Sequence, residues 1–265
     1  VRPIIKYFGG KNKLYEWVIS KFPHNYETLT YVEDFIGGGS IILNKKKSHI
    51  EIINDINPKL INMYKVLFQY NTEFTNELLN LTYSKETFDN ALLNHINEDF
   101  YDDVDAAVNT YILYRMSRGG LGKEFAWSER LRGNQPGDTN AWDTSIDNIN
   151  IITQRLNGTI IYNRDFRWLL SNYNDDSTFH YLDPTYLSET RVSKRAYEYE
   201  MSFKDHEDLL KLITNSKARI LISGYYSSLY YSYLKDWNVH SKDIINHSSQ
   251  ARIKDSRVEI LWCNY

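Results

Sequence analysis

Apolar positions along the chain gather in short runs, each stopped by glycine, proline or an acidic residue. The stretch 30-TYVEDFIGGGSIILN-44 reads as a strand, a glycine-rich turn and the start of a helix. A second run, 50-IEIINDIN-57, reads as a strand ending in Asp55, and Pro58 marks the first turn of the next helix. Upstream, 4-IIKYFGGKNKL-14 sets a glycine pair and lysines ahead of an amphipathic helix over 14–20. This strand–turn–helix–strand spacing predicts an α/β protein with a parallel, doubly wound sheet. From 65 to 154 the character changes: 73–96 and 103–117 read as helices, and 118–142 is rich in glycine, arginine and tryptophan without a long apolar run. Strands resume at 159–166, 179–183, 219–225, 237–244 and 258–265, with a crossover helix over 204–215. The polar segment 245–257 joins the last two strands, which are expected to pair antiparallel and make the sheet mixed. The expected organisation is a core from 1–64 and 155–265, interrupted by a mainly helical insert at 65–154.

Composition narrows the classes. At 265 residues the chain can bury one large core with an insert. A net charge of −3 gives no overall pull toward a polyanion, so a nucleic-acid site has to be a local basic patch. The single cysteine, Cys263, excludes an internal disulfide and fits a reducing compartment. No apolar run approaches about 18 residues, and no basic-then-apolar leader is visible, which points to a cytoplasmic protein. The histidines are scattered, so no metal is expected.

The turn residues carry candidate chemistry. Glycines in 34-DFIGGGS-40 let the backbone approach a ligand, although a plain turn explains them equally well. About 20 residues further on, Asp55 is placed to accept hydrogen bonds from ribose hydroxyls. Its alternative role is to cap the helix opening at Pro58. The stretch 179-FHYLDPTYLS-188 ends a strand on a carboxylate, a fixed backbone carbonyl and an aromatic face. In open α/β sheets, ligands bind at that strand edge.

Here the sequence resembles the Dam-like (D12 class, alpha group) DNA adenine-N6 methyltransferases, whose hallmark is Asp-Pro-Pro-Tyr after the fourth strand. Asp183-Pro184-Thr185-Tyr186 matches it except at Thr185, where a hydroxyl replaces the second proline and puts loop rigidity in question. Lys6-Tyr7-Phe8-Gly9-Gly10-Lys11 resembles the N-terminal signature, Asp34 to Ser40 the cofactor loop, Asp55 the ribose acid, and Asp165-Phe166 the pair after the third strand. The resemblance implies a Rossmann-like seven-stranded mixed sheet with a helical target-recognition insert. It also implies S-adenosylmethionine as cofactor, S-adenosyl-L-homocysteine as product and double-stranded DNA as substrate. Asp183, Pro184 and Tyr186 would carry catalysis. Tyr7, Lys11, Phe35, Gly37, Gly39, Ser40, Asp55, Asp165, Phe166 and Asp183 would hold the cofactor, with Lys11 equally readable as a solvated lysine. A bacterial or phage-encoded enzyme fits, and a cognate restriction partner stays open.

Within the insert, Arg115, Arg118, Lys123, Arg130 and Arg132 lie among Phe125, Trp127 and Trp142. Arginines contact phosphates and guanine edges, and exposed rings stack or wedge, so Arg115, Arg118, Lys123, Trp127, Arg130 and Arg132 are the candidate DNA contacts. A solvated loop over two or three buried rings is the alternative. Rival activities are methylation of RNA bases or of protein glutamine amides, and a fold retained only for DNA binding.

Overall fold

A computed structural model describes residues 1–98, 102–128, 130–132, 135–190, 198–245 and 256–265. Along the chain, α1 (Tyr15–Ile19) precedes β1 (Thr30–Glu33) and β2 (Ile50–Asn54). A helical stretch follows: α2 (Pro58–Gln69), α3 (Asn71–Leu79), α4 (Lys85–Asn97) and α5 (Asp103–Met116). A short hairpin of β3 (Leu131–Arg132) and β4 (Gln135–Pro136) leads to α6 (Gly137–Asp147), α7 (Ile149–Leu156) and β5 (Ile160–Tyr162). The remaining elements are α8 (Phe166–Asn172), β6 (Thr178–Leu182), α9 (Phe203–Thr214), β7 (Arg219–Gly224), α10 (Ser228–Leu234), β8 (Asn238–Ile245) and β9 (Ser256–Cys263).

Among the described residues the main sheet has seven strands in the order β5-β2-β1-β6-β7-β9-β8. β1 runs parallel to β2 and β6, and β6 runs parallel to β7. β9 is antiparallel to both β7 and β8, so the expected mixed sheet is present. All five residues of β6 are buried, as a strand covered on both faces requires.

The chain divides into two compact units. One comprises Val1–Ile19, Gly37–Lys45 and Asn57–Asn163; the other comprises Ser20–Ile36, Lys46–Ile56 and Arg164–Tyr265. In the first, α5 is the central helix: nine of its residues, Val104 to Met116, are buried against α2, α3, α4 and α6. In the second, Leu182, Leu187, Leu209, Ile220, Ile222, Tyr230, Leu234 and Trp262 form one apolar cluster beneath the end of β6. Asp205 closes a reciprocal cap with Ser202 at the start of α9.

Several expected elements differ. No α-helix follows the glycine turn. Residues 37–45 make successive turns instead, with Leu43 N–H donating to Gly39 O at 3.2 Å and Lys45 N–H to Ile41 O at 3.0 Å. Gly37 and Gly39 have φ of 48° and 70°, outside helical space. The helix expected over 73–96 breaks between α3 and α4, where Ser84 accepts from Thr87 N–H and starts a new helix. The segment 118–142 contains the beginning of α6. The strand expected over 159–166 is cut to three residues because Asp165 caps α8. α10 lies between the strands expected at 219–225 and 237–244, where no element was expected, and is held by the Ser227 cap and burial of Tyr230 and Leu234. Most of the 245–257 connection lies outside the described residues.

Candidate active site

In the second unit, β1 sits between β2 and β6, so the chain winds outward in opposite directions from the β1–β6 pair. Such a switch point leaves a crevice at the carboxyl ends of the strands. Asp34 follows β1 there, and Asp183 follows β6. Ser223, near the end of β7, donates to Asp183 Oδ1 at 2.7 Å and to Leu182 O at 3.3 Å, so the carboxylate is aimed by its neighbour strand. Pro184 is buried, whereas Asp183 and Tyr186 are partly exposed. Thr185 Oγ1 accepts from Met201 N–H at 3.0 Å. The hydroxyl that replaces the family's second proline therefore ties the loop down by a hydrogen bond.

Tyr186 donates its hydroxyl to Glu259 on β9, and its ring meets Tyr225 edge-on at 4.7 Å between centroids. Tyr186, Leu187, Thr190, Gly224, Tyr225 and Tyr230 line a small recess. Leu182 and Leu187, on either side of the tetrapeptide, belong to the apolar cluster below it. The tetrapeptide is thus fastened from beneath and from the side.

The end of the sheet beside the glycine turn is organised by residues that the sequence pattern did not single out. Asn54, the last residue of β2, donates to Asp34 O and Arg164 O, both at 2.9 Å. Its Oδ1 accepts from Arg164 N–H at 2.8 Å, and its backbone carbonyl accepts from Ile36 N–H at 2.8 Å. One buried amide therefore joins the loops after β1 and before α8. A hint was available: an amide that directly follows the apolar pair Ile52-Ile53 in a buried strand needs partners. Asp34 Oδ2 lies 2.8 Å from His180 Nδ1, with both side chains wholly buried. His180 Nε2 donates to Tyr173 O at 2.8 Å. Asp34 Oδ1 has no hydrogen-bond partner among the described residues.

The other predicted residues of this unit gather nearby. Phe35 and Phe166 pair their rings at 5.8 Å. Asp165 caps α8 by accepting from Arg167 N–H at 2.8 Å and also pairs with the Arg167 guanidinium. Arg167 reaches Asp205 and Asp208 on α9 at 2.6 and 2.9 Å. Asp55 is buried at the end of β2, and it is Asn57 that caps α2 by accepting from Lys59 and Leu60 N–H. The capping alternative for Asp55 therefore falls away.

In the first unit, the Tyr7 ring lies against the glycine turn. A Cβ on Gly37 would sit 2.9 Å from that ring, and Tyr64 donates to Gly37 O at 3.0 Å. Ser40 is buried, and its carbonyl accepts from Asn44 Nδ2 at 2.9 Å. Lys11 is 5% exposed, and its ammonium donates to Gly9 O at 3.3 Å, so it is not the solvated lysine of the alternative reading.

The candidate DNA contacts between 115 and 132 separate by exposure. Arg118, Lys123 and Arg130 are exposed. Trp127 is half-exposed, stacked on Phe125 at 6.5 Å, while Trp142 is buried against Tyr111. Arg115 turns inward instead: it donates to Ala141 O at 3.0 Å, and burial lowers its pKa. The side chain of Arg132 lies outside the described residues. Gly120, at φ 70°, lets the 118–122 loop press onto the N-terminal motif, since a Cβ there would lie 2.4 Å from Lys6 O. Gly120→Ala meets both a left-handed backbone and a backbone clash. It is expected to destabilise the protein by about 2–4 kcal/mol, read from denaturant midpoints; a loss under about 0.5 kcal/mol would contradict this packing.

Comparison with known proteins gives the family. The family described as D12 class N6 adenine-specific DNA methyltransferase matches residues 7–252. The type II methyltransferase M1.LlaDCHI of Lactococcus lactis subsp. cremoris is 25% identical over 281 residues, covering 100% of this chain and 96% of that protein. The modification methylase StsI of Streptococcus sanguinis is 28% identical over 200 residues, covering 72% of this chain and 29% of that protein. The DNA N-6-adenine-methyltransferase of Escherichia phage P1 is 30% identical over 145 residues, covering 52% of this chain and 17% of that protein. With the family match spanning the glycine turn, the Asp183 loop and the insert between them, this chain is a member of the D12 class of N6 adenine-specific DNA methyltransferases.

Proposed function

We propose that the protein methylates the N6 amino group of adenine in duplex DNA, using S-adenosylmethionine, after turning the base out of the helix and by direct in-line transfer. The observation that carries this reading is the Asp183 carboxylate, held by Ser223 at the switch-point end of β6 beside a tethered Tyr186. The N6 lone pair is delocalised into the purine ring, which makes the free amine a poor nucleophile. The Asp183 carboxylate and the Pro184 carbonyl, accepting one amino hydrogen each, would favour a pyramidal nitrogen with its lone pair directed at the methyl group. Tyr186 would stack on the extruded base, a contact worth about 1–3 kcal/mol. Extrusion is needed because a base inside the stack cannot be reached.

The chain suits a nucleoside-bearing cofactor. Gly37 and Gly39 adopt left-handed backbone, Asp55 is a buried acid at a strand end, and Phe35 with Phe166 offers a ring pair for an adenine. Asp55 would hold the ribose, Asp165 and Phe166 the adenine, and Tyr7 and Lys11 the methionine portion. When bound, the cofactor supplies an activated sulfonium methyl and leaves as S-adenosyl-L-homocysteine. Asp165 would have to keep its helix cap while accepting from the adenine, which two carboxylate oxygens permit.

Arg118, Lys123, Trp127 and Arg130 are the proposed DNA contacts; Arg132 keeps that role as a proposal, and Arg115 is better suited to supporting the insert from within. The names of two relatives, a type II methyltransferase and a modification methylase, support a partner restriction enzyme. Long-read sequencing of unmethylated plasmid DNA incubated with protein and S-adenosylmethionine tests the reading. N6-methyladenine in one sequence context is expected; methyl groups on cytosine, or none on DNA, would refute it.

A further inference from the structure

We infer that Glu259 is a positioning residue that sets the ring of Tyr186 for the extruded base; the inference rests on the stacking role proposed for Tyr186. Glu259 lies in β9, where the antiparallel pairing of β7 with β9 joins Gly224 to Ile260 and brings the strand beside the Asp183 loop. It is 2% exposed, among apolar neighbours Ile260 and Leu261. A carboxylate removed from water in this way has to be hydrogen-bonded. Part of that requirement is met by the Tyr186 hydroxyl, which donates to Glu259 Oε1.

The geometry on the other side of the ring completes the clamp. Tyr225 meets Tyr186 at 77° between planes, and the Arg257 guanidinium lies 5.6 Å from the Tyr225 centroid. A tyrosine ring has two side-chain torsions. Fixing its hydroxyl to a buried carboxylate and packing it against a second ring leaves little freedom in either. A platform ordered before DNA arrives spends less of the stacking interaction on ordering itself. The pairing is not readable from local sequence, since Glu259 and Tyr186 are 73 positions apart.

The test uses the full-length protein and a duplex containing the methylated sequence found by plasmid sequencing, with 2-aminopurine at the target adenine in one arm. Glu259→Leu removes the acceptor, Glu259→Gln keeps an acceptor without the charge, and Tyr186→Phe removes the donor without altering β9. Glu259→Leu and Tyr186→Phe are each expected to lower kcat/KM for DNA about 10- to 100-fold and to change the 2-aminopurine emission of the enzyme-bound duplex. Affinity for S-adenosylmethionine should stay within about threefold of wild type. Glu259→Gln should recover most of the loss, and the double variant Tyr186→Phe/Glu259→Leu should be no worse than either single one. Equal losses in the Gln and Leu variants, or additive losses in the double variant, would overturn the inference. Tyr186→Phe at wild-type activity would overturn it too, even if the Glu259 variants fail to fold. A wild-type protein that leaves adenine unmethylated would instead sink the proposed function itself.

Discussion

Asp183→Ala is expected to lower single-turnover methyl transfer to duplex DNA by about 10³-fold or more, with little change in folding stability. Removing one preorganised polar group from a reacting centre costs on the order of 10²–10³ in rate. Asp183 is proposed both to accept an amino hydrogen and to set the direction of the nitrogen lone pair, so the upper end applies. Stability is spared because Asp183 is partly exposed and Ser223 keeps a second acceptor in Leu182 O at 3.3 Å. Asp183→Asn is a sharper probe. Its amide retains an oxygen for Ser223 but presents N–H groups toward an amine that already has two hydrogens to place. It too should be nearly inactive, with an unchanged denaturation midpoint. Transfer of tritiated methyl groups within tenfold of wild type, in either variant, would remove Asp183 from the mechanism.

The second large effect concerns the buried pair under the root of the glycine turn. His180→Leu leaves the Asp34 carboxylate wholly buried without its imidazole and should cost about 3–5 kcal/mol of stability. The pair also makes stability depend on pH. Tyr173 O requires a proton on His180 Nε2, so the contact between His180 Nδ1 and Asp34 needs one further proton, carried by either partner. Burial alone would lower the His180 pKa, but the adjacent Asp34 carboxylate and its hydrogen bond outweigh burial and raise it. Burial raises the Asp34 pKa, and His180 offsets this only in part. Both shifts mean that the folded state holds protons more tightly than the unfolded state.

The sign follows directly. The His180 contribution is fully present below the ordinary histidine pKa of about 6.5 and is lost as pH rises through the raised folded value. Wild-type unfolding free energy should therefore decline above about pH 6.5, by up to about 1.4 kcal/mol per pH unit for one proton. His180→Leu should lower stability at every pH but leave a slope of its own, because burial then raises the Asp34 pKa unopposed; the double variant Asp34→Asn/His180→Leu should lose the slope. Asp34→Asn, which removes the buried charge but keeps a hydrogen-bonding group, should be milder. Urea titrations across pH 6–9 would decide; a slope in the double variant Asp34→Asn/His180→Leu equal to that of wild type would show that the pair does not govern it.

Where local chemistry decides, residues speak for themselves. Short apolar runs closed by turn formers mark β1, β2, β6 and β7, because a strand needs a pleated apolar surface and a stop, and both are read within a few residues. The same locality puts Asp183 and Tyr186 after β6 and the glycine turn after β1, which is why the family motifs are recognisable. α10 is legible in the same way: in 225-YYSSLYYSYL-234, Tyr226, Leu229, Tyr230, Tyr233 and Leu234 recur at helical spacing after the capping Ser227, and the helix buries Tyr230 and Leu234 from that stripe. Locality fails for Arg115, since arginine in a basic, aromatic segment reads as a surface cation until a fold turns it onto Ala141 O.

The candidate site divides in the same way. Which groups are candidates for the chemistry is written in sequence order, because backbone constraint and functional group occupy adjacent positions. What aims those groups is not. Ser223 reaches Asp183 across 40 residues, Asn54 reaches Arg164 across 110, and His180 reaches Asp34 across 146. A parallel sheet brings these residues together only after its crossovers are complete, and the hydrogen bonds that orient a reactive carboxylate depend on distances that no one segment contains. The chain by itself determined the family, the candidate groups and their order; tertiary structure alone decided how those groups are held.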